Sequence, residues 1–326
     1  MNDFIPVKIL FHRKKAWIEW RALGVRKFQK PFFDQSIADL LKERPSCPIK
    51  LTPLPLELPS TSCDASLGGE PTGLIFHSSR CGSTLLAQML NAVPGTRVIS
   101  EAGILNTLLR YQLGGQKDRR VRLLRYIIRQ LAGSPPISKT SPFFIKFSSW
   151  NAIDLPLITQ AFPNTPWIFL YRNPAEVLAS VFRQPSGWLR AKEAPQWAAR
   201  LAQTSPEQVE ALNLEEYACR VLAHFLTSAL NATAENAFFL NYRQLPEAAW
   251  NEVARHFQWL IEDIDAMREA ACYDSKNSEQ RMPFIRDESP QPALTEGLAQ
   301  RASAMLSPLY RKLEERHMAP LKPGHT

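Results

Sequence analysis

From residue 71 onward, short apolar runs alternate with segments in which apolar residues recur every three to four positions. The runs 73–77, 97–100, 143–147, 167–171 and 237–241 are mostly apolar throughout, without strict alternation. Such runs predict strands buried on both faces, as in a parallel sheet. Between them, helical periodicity predicts helices at 83–93, 103–113, 118–132, 153–161 and 174–184. A longer pattern at 214–235 opens with Asn213 and Glu216, a capping-box spacing. Further helices are expected at 246–260, 263–272 and 293–316. Strand–helix alternation of this kind predicts an α/β domain whose strands are joined by helical crossovers.

The first seventy residues have a different pattern. Val7 to Phe11 and Ala16 to Trp20 are candidate strands, and Gln35 to Glu43 a candidate helix. Prolines 45, 48, 53, 55 and 59, followed by Ser60 to Gly69, read as a linker. The expected division is therefore a small N-terminal appendage with linker, 1–70, and a main domain, 71–326. The appendage shows no motif, and its Lys/Arg-rich first thirty residues read as a solvated edge.

Composition narrows the partners. Of 326 residues, 45% are hydrophobic, which suffices for a large core. The 39 basic against 31 acidic residues give +8, which favours an anionic ligand. No zinc-ligand spacing or aromatic RNA-binding motif supports nucleic acid. Five scattered cysteines suggest reduced thiols and a cytoplasmic protein, and no signal peptide or membrane span is evident.

The chemistry concentrates first in Phe76 to Leu90. A strand, a loop of small polar residues (Ser78-Ser-Arg-Cys-Gly-Ser-Thr84) and a helix start make a phosphate cradle, because backbone N–H groups and the helix dipole converge there. The triphosphatase signature G-x-x-x-x-G-K-S/T is not met. Aligned on Gly82 and Thr84, His77 replaces the first glycine and Ser83 the lysine. The cation sits inside the loop, as Arg80. ATP hydrolysis is therefore disfavoured.

This loop resembles that of the family of sulfotransferases that use 3′-phosphoadenosine 5′-phosphosulfate (PAPS). Those proteins carry (K/R)-S-G-(S/T)-T after the first strand, and Arg80-Cys-Gly-Ser-Thr84 matches with Cys81 in the serine place. A second segment, Pro166 to Val181, resembles the family's 3′-phosphate element: a strand ending in arginine, here Arg172, then a helix carrying a serine, here Ser180. Pro174 suits the first helical position, and an arginine fork with a hydroxyl suits a phosphomonoester. The resemblance covers about residues 71–290 and implies a P-loop-like three-layer sandwich, a central mostly parallel sheet flanked by helices.

The resemblance also implies roles. Ser78, Ser79, Arg80, Cys81, Gly82, Ser83 and Thr84 would hold the 5′-phosphosulfate, and Arg172 and Ser180 the 3′-phosphate. Glu101, ending the second strand, is the candidate base for the acceptor's proton, or else a first-turn glutamate favouring its helix. Lys146, ending the third strand, and Arg80 would offset charge building on the leaving phosphate, though an edge ion pair also accounts for Lys146. Tyr242 would cover the adenine or end a strand. Ser275, Lys276 and Arg281 are candidate contacts from a polar loop. Cys81 reads as a small residue in the serine place, or as a thiol activated beside Arg80.

The expected activity is sulfonate transfer from PAPS to a hydroxyl or amine, without a metal. The acceptor, small molecule, carbohydrate or peptide, has no code in the sequence. Its pocket would form from the variable segments 103–140 and 184–212, where Trp188 and Trp197 are stacking or packing residues. The alternatives are an ATP- or GTP-dependent phosphotransferase and a non-catalytic PAPS- or nucleic-acid-binding module.

Overall fold

The structure, a computed structural model, describes residues 4–22, 28–55, 69–133, 141–232, 235–273 and 294–318. Strands β1 (Phe4–His12), β2 (Lys15–Ala22) and β3 (Ile49–Pro53) form an antiparallel sheet in that order. Strands β4 (Gly73–His77), β5 (Arg97–Ser100), β6 (Phe143–Lys146), β7 (Trp167–Tyr171) and β8 (Ala237–Asn241) form a second sheet, ordered β5-β6-β4-β7-β8. All four pairings in it are parallel. Each expected strand of the main domain is present, and the third stops one residue early, at Lys146.

Both faces of this sheet are covered, which is why its strands read as unbroken apolar runs. Ile75, Val98, Phe144, Ile168 and Leu240 pack against Leu86, Met89 and Leu90 of the helix Ser83–Ala92. Leu74, Phe76, Ile99, Ile145 and Phe169 face the opposite layer, with Leu124, Ile158, Phe225 and Leu306. That second cluster continues without a break into Ile5, Val7, Ile9, Ile18 and Trp20. The N-terminal sheet thus shares the core of the main domain.

Several expectations need correction. Residues 49–53, placed in the linker, are β3; Pro53 closes the strand and the strand lies at the sheet edge, where proline is tolerated. The stretch 246–260 holds only short helical pieces, 247–249 and Glu252–His256. The segment 184–212, for which sequence predicted no elements either way, holds three short helices, Gly187–Arg190, Pro195–Ala202 and Pro206–Ala211. Trp188 in it is fully buried against Phe225, and Trp197 lies between the guanidinium groups of Arg110 and Arg200. Among the described residues no helix is long and apolar enough to cross a membrane.

The crossover after β4 leaves towards β5, and the one after β7 leaves towards β8 on the other side. Where adjacent strands feed connections in opposite directions, a crevice opens at their carboxyl ends. The functional candidates cluster at that end.

Candidate active site

The loop after β4 is shaped by left-handed backbone. Ser79 has φ 78°, Arg80 φ 49° and Gly82 φ 79°. Non-glycine residues adopt this region seldom, and such residues gather at ligand sites. The helix Ser83–Ala92 that follows has no side-chain cap and no acidic residue in its first turn. Its first N–H groups have no partner within the helix, and the macrodipole adds partial positive charge there. Ser78, Ser79, Ser83 and Thr84 are buried around this start. Arg80 leans across to the end of the next motif, donating to Gln184 Oε1 at 3.1 Å and to the Gln184 carbonyl at 2.6 Å. Cys81 is fully buried, with Sγ 3.3 Å from the Leu170 carbonyl. Burial pushes its thiol up to about 11, so the activated-thiol reading is dropped and the small-residue reading stands.

At the end of β7, Arg172 pairs with Glu176 one turn into the helix Pro174–Arg183. Its guanidinium carbon sits 4.6 Å from the centre of the Tyr242 ring. The helix start is closed by the chain itself: Asn173 accepts from the Ala175 N–H at 2.9 Å, and Pro174 occupies the first position. Ser180 lies half-buried further along the same helix. Tyr242, just past β8, also packs on the phosphate-type loop, since a β-carbon at Gly82 would meet Tyr242 Cδ2 at 2.7 Å. The ring therefore joins the two motifs that sequence reading treated separately.

The ends of β4, β5 and β6 carry a third group. Ser100 and Lys146 are register partners, and the Glu101 N–H donates to the Lys146 carbonyl at 2.7 Å. Glu101, at φ 52°, turns back so that its carboxylate pairs with the Lys146 ammonium. Lys146 has no exposed side-chain surface, while Glu101 keeps 19%. By strand alternation, His77, Ser100 and Lys146 share the sheet face of Ile75, Val98 and Phe144. His77 Nδ1 accepts from the Ser79 N–H at 3.2 Å, which leaves Nε2 to carry the proton, 3.7 Å from Glu101 Oε1. Burial pushes the imidazole below its ordinary range, so it is neutral. Burial, the largest single influence, would raise Glu101, but the Lys146 ammonium and His77 together outweigh it and hold the carboxyl below the usual carboxylate range. Ser100 Oγ and Ser148 Oγ are buried beside this group without a hydrogen-bond partner among the described residues.

The structure thus brings Glu101 and Lys146 into contact, and joins Gly82, Arg172 and Tyr242. Arg80 faces Gln184. Ser275, Lys276 and Arg281 lie outside the described residues. Sequence reading missed Glu176 and Gln184 as partners, and weighed His77 only as a substrate contact or a plain strand end. For His77 the signal was present, since it ends β4 on the face that Lys146 ends on β6. Phe32, whose ring centroid is 5.4 Å from Lys146 Nζ, comes from the N-terminal module and carried no such signal.

No protein-family model and no curated protein matches the chain. Solved structures similar to it include a sulfotransferase from Alicyclobacillus acidocaldarius, 14% identical, TM-score 0.43, covering 78% of this chain and 98% of that one. The sulfotransferase domain of the Synechococcus PCC 7002 olefin synthase is 14% identical, TM-score 0.39, with 73% and 94% covered. A sulfotransferase from Mycobacterium tuberculosis is 13% identical, TM-score 0.41, with 74% and 78% covered. The chain is similar to these sulfotransferases, and at these identities and TM-scores the similarity assigns it no activity.

Proposed function

We propose that the chain is a sulfotransferase that moves a sulfonate group from PAPS to a hydroxyl or amine of a small-molecule, carbohydrate or peptide acceptor. The observation that carries this reading is the buried Glu101–Lys146 pair at the strand ends that flank an uncapped helix start. A base, a cation and an anion cradle are what transfer to a protonated nucleophile requires.

The residues fit an anionic nucleotide. The helix start at Ser83–Thr84, which has no side-chain cap, and the left-handed loop before it suit one phosphate. Arg172, set on the Tyr242 ring, suits a second, with Ser180 on the same helix. Tyr242 in this reading supports Arg172 and the loop. When bound, PAPS supplies an activated sulfonate joined to a phosphate leaving group. Arg80 and Lys146 offset the charge at that phosphate, so the reading needs no magnesium. Glu101 takes the acceptor's proton. In the ligand-free protein it is ionised but weakly basic, because Lys146 holds it below its ordinary range. Once Lys146 turns part of its charge to an anion, Glu101 becomes a better base. The neutral His77 stands beside the carboxylate, Nε2 3.7 Å from Oε1 and outside hydrogen-bond range, and does not compete for the proton.

Calorimetry without magnesium tests this. Adenosine 3′,5′-bisphosphate should bind at least about tenfold tighter than AMP or ATP, the worth of one charge-assisted contact to the 3′-phosphate. Tighter, magnesium-dependent binding of ATP would return the phosphotransferase alternative.

A further inference from the structure

The N-terminal module reaches into the site. Phe32 immediately precedes the helix Phe33–Glu43, and its half-buried ring lies over the Lys146 ammonium. Its position is fixed from two sides. Two residues on, Asp34 Oδ1 accepts the Gly103 N–H at 3.2 Å, at the start of the helix that follows Glu101. On the other side, buried Asn91 donates to the Phe28 carbonyl at 2.8 Å, and the rings of Phe28 and Phe33 meet edge to face at 4.9 Å. Asn91 belongs to the helix that begins at the phosphate-type loop. The segment 28–34 is therefore pinned to both helices that frame Glu101 and Lys146.

An aromatic face attracts a cation, more strongly where water is kept out. It offers that attraction without a hydrogen-bond acceptor, so it does not compete with an incoming anion for the lysine protons. A closed site also protects an activated group from water. We propose that Phe32 is a positioning residue: it holds the Lys146 ammonium against Glu101 and keeps water off the ammonium until an acceptor arrives. This rests on the sulfotransferase reading and adds to it that the N-terminal module is part of the transfer site. Without the ring, water takes the acceptor's place. Its oxygen bonds to sulfur as the bond from sulfur to the phosphate oxygen breaks. One proton goes to Glu101, and the hydrogensulfate formed releases the other to solvent. The products are adenosine 3′,5′-bisphosphate and sulfate.

Two measurements test the proposal on the full chain. The first needs no ligand: lysines are acetylated with acetic anhydride, and the modified fraction of Lys146 is read by mass spectrometry. Phe32→Ala should raise it about tenfold, Phe32→Leu less, and Phe32→Tyr should match the wild type. The second follows PAPS breakdown without acceptor, which should rise about tenfold in Phe32→Ala while bisphosphate affinity stays unchanged. Wild-type labelling together with wild-type breakdown in Phe32→Ala overturns the proposal. If that variant does not fold, Phe32→Leu decides, with Lys146 labelling above wild type in support and equal labelling against. If the wild type binds no bisphosphate, the sulfotransferase reading falls, while the labelling result still decides whether Phe32 covers Lys146.

Discussion

Two helices start at the same edge of the sheet, one after β4 and one after β7, and they start in opposite ways. The helix Ser83–Ala92 has a left-handed residue, Gly82, before it, no cap and no acid in its first turn. The helix Pro174–Arg183 is capped by Asn173, begins with proline and carries Glu176 in its first turn. The first start has no side chain folded over it; at the second, Asn173 and Pro174 already occupy the place an anion would take. An anion at the second start must therefore be held by side chains, and Arg172 stands ready there. In the proposed reading, one phosphate is gripped by the main chain and the other by an arginine.

Neither helix start handles the proton, so Glu101→Gln should lower turnover about 100-fold or more while leaving bisphosphate affinity near wild type. It also strands the Lys146 ammonium, which should cost about 3 kcal/mol of stability by denaturant melts. Normal turnover in this variant would make Glu101 a helix-end residue only. Next, Arg172→Ala should weaken bisphosphate binding by roughly 1.5–3 kcal/mol, whereas Ser83→Ala should change it by less than about twofold, since the grip there is backbone. Equal losses in the two, measured by calorimetry, would erase the contrast.

The smallest effect concerns acid. Glu101 is depressed in the folded chain, so its share of stability is full above its ordinary 4.5 and is lost as pH falls towards about 2. His77 is also depressed, from 6.5, so acidification favours the unfolded chain, which takes up that proton first. Thermal stability should decline below about pH 6.5 and again below about pH 4.5. In Glu101→Gln the second decline should flatten. A profile that keeps it would place the acid sensitivity elsewhere.

The sheet was legible because its strands are apolar on both faces and its crossovers keep helical period. The strand, loop and helix start after β4, and the place of Arg172 at the end of β7, were legible because each lies within one short segment. Contacts made across distant segments were not. Gly103 starts its helix with a donor satisfied by Asp34, sixty-nine positions earlier, and no local pattern predicts such a cap. Phe32 sits in a stretch whose periodicity says only that a helix follows. The proline-rich run hid β3 because proline punctuates linkers and edge strands alike.

One ring has a consequence for engineering. Tyr242 both blocks a side chain at Gly82 and lies beneath the Arg172 guanidinium. A Gly82→Ala change, already unfavourable at φ 79°, would press on that ring and tilt the arginine it supports. The damage would be recorded at Arg172, ninety residues downstream. Transplanting the loop alone into another scaffold would carry its backbone path but leave its buttress behind, so the smallest movable unit is the loop together with Tyr242.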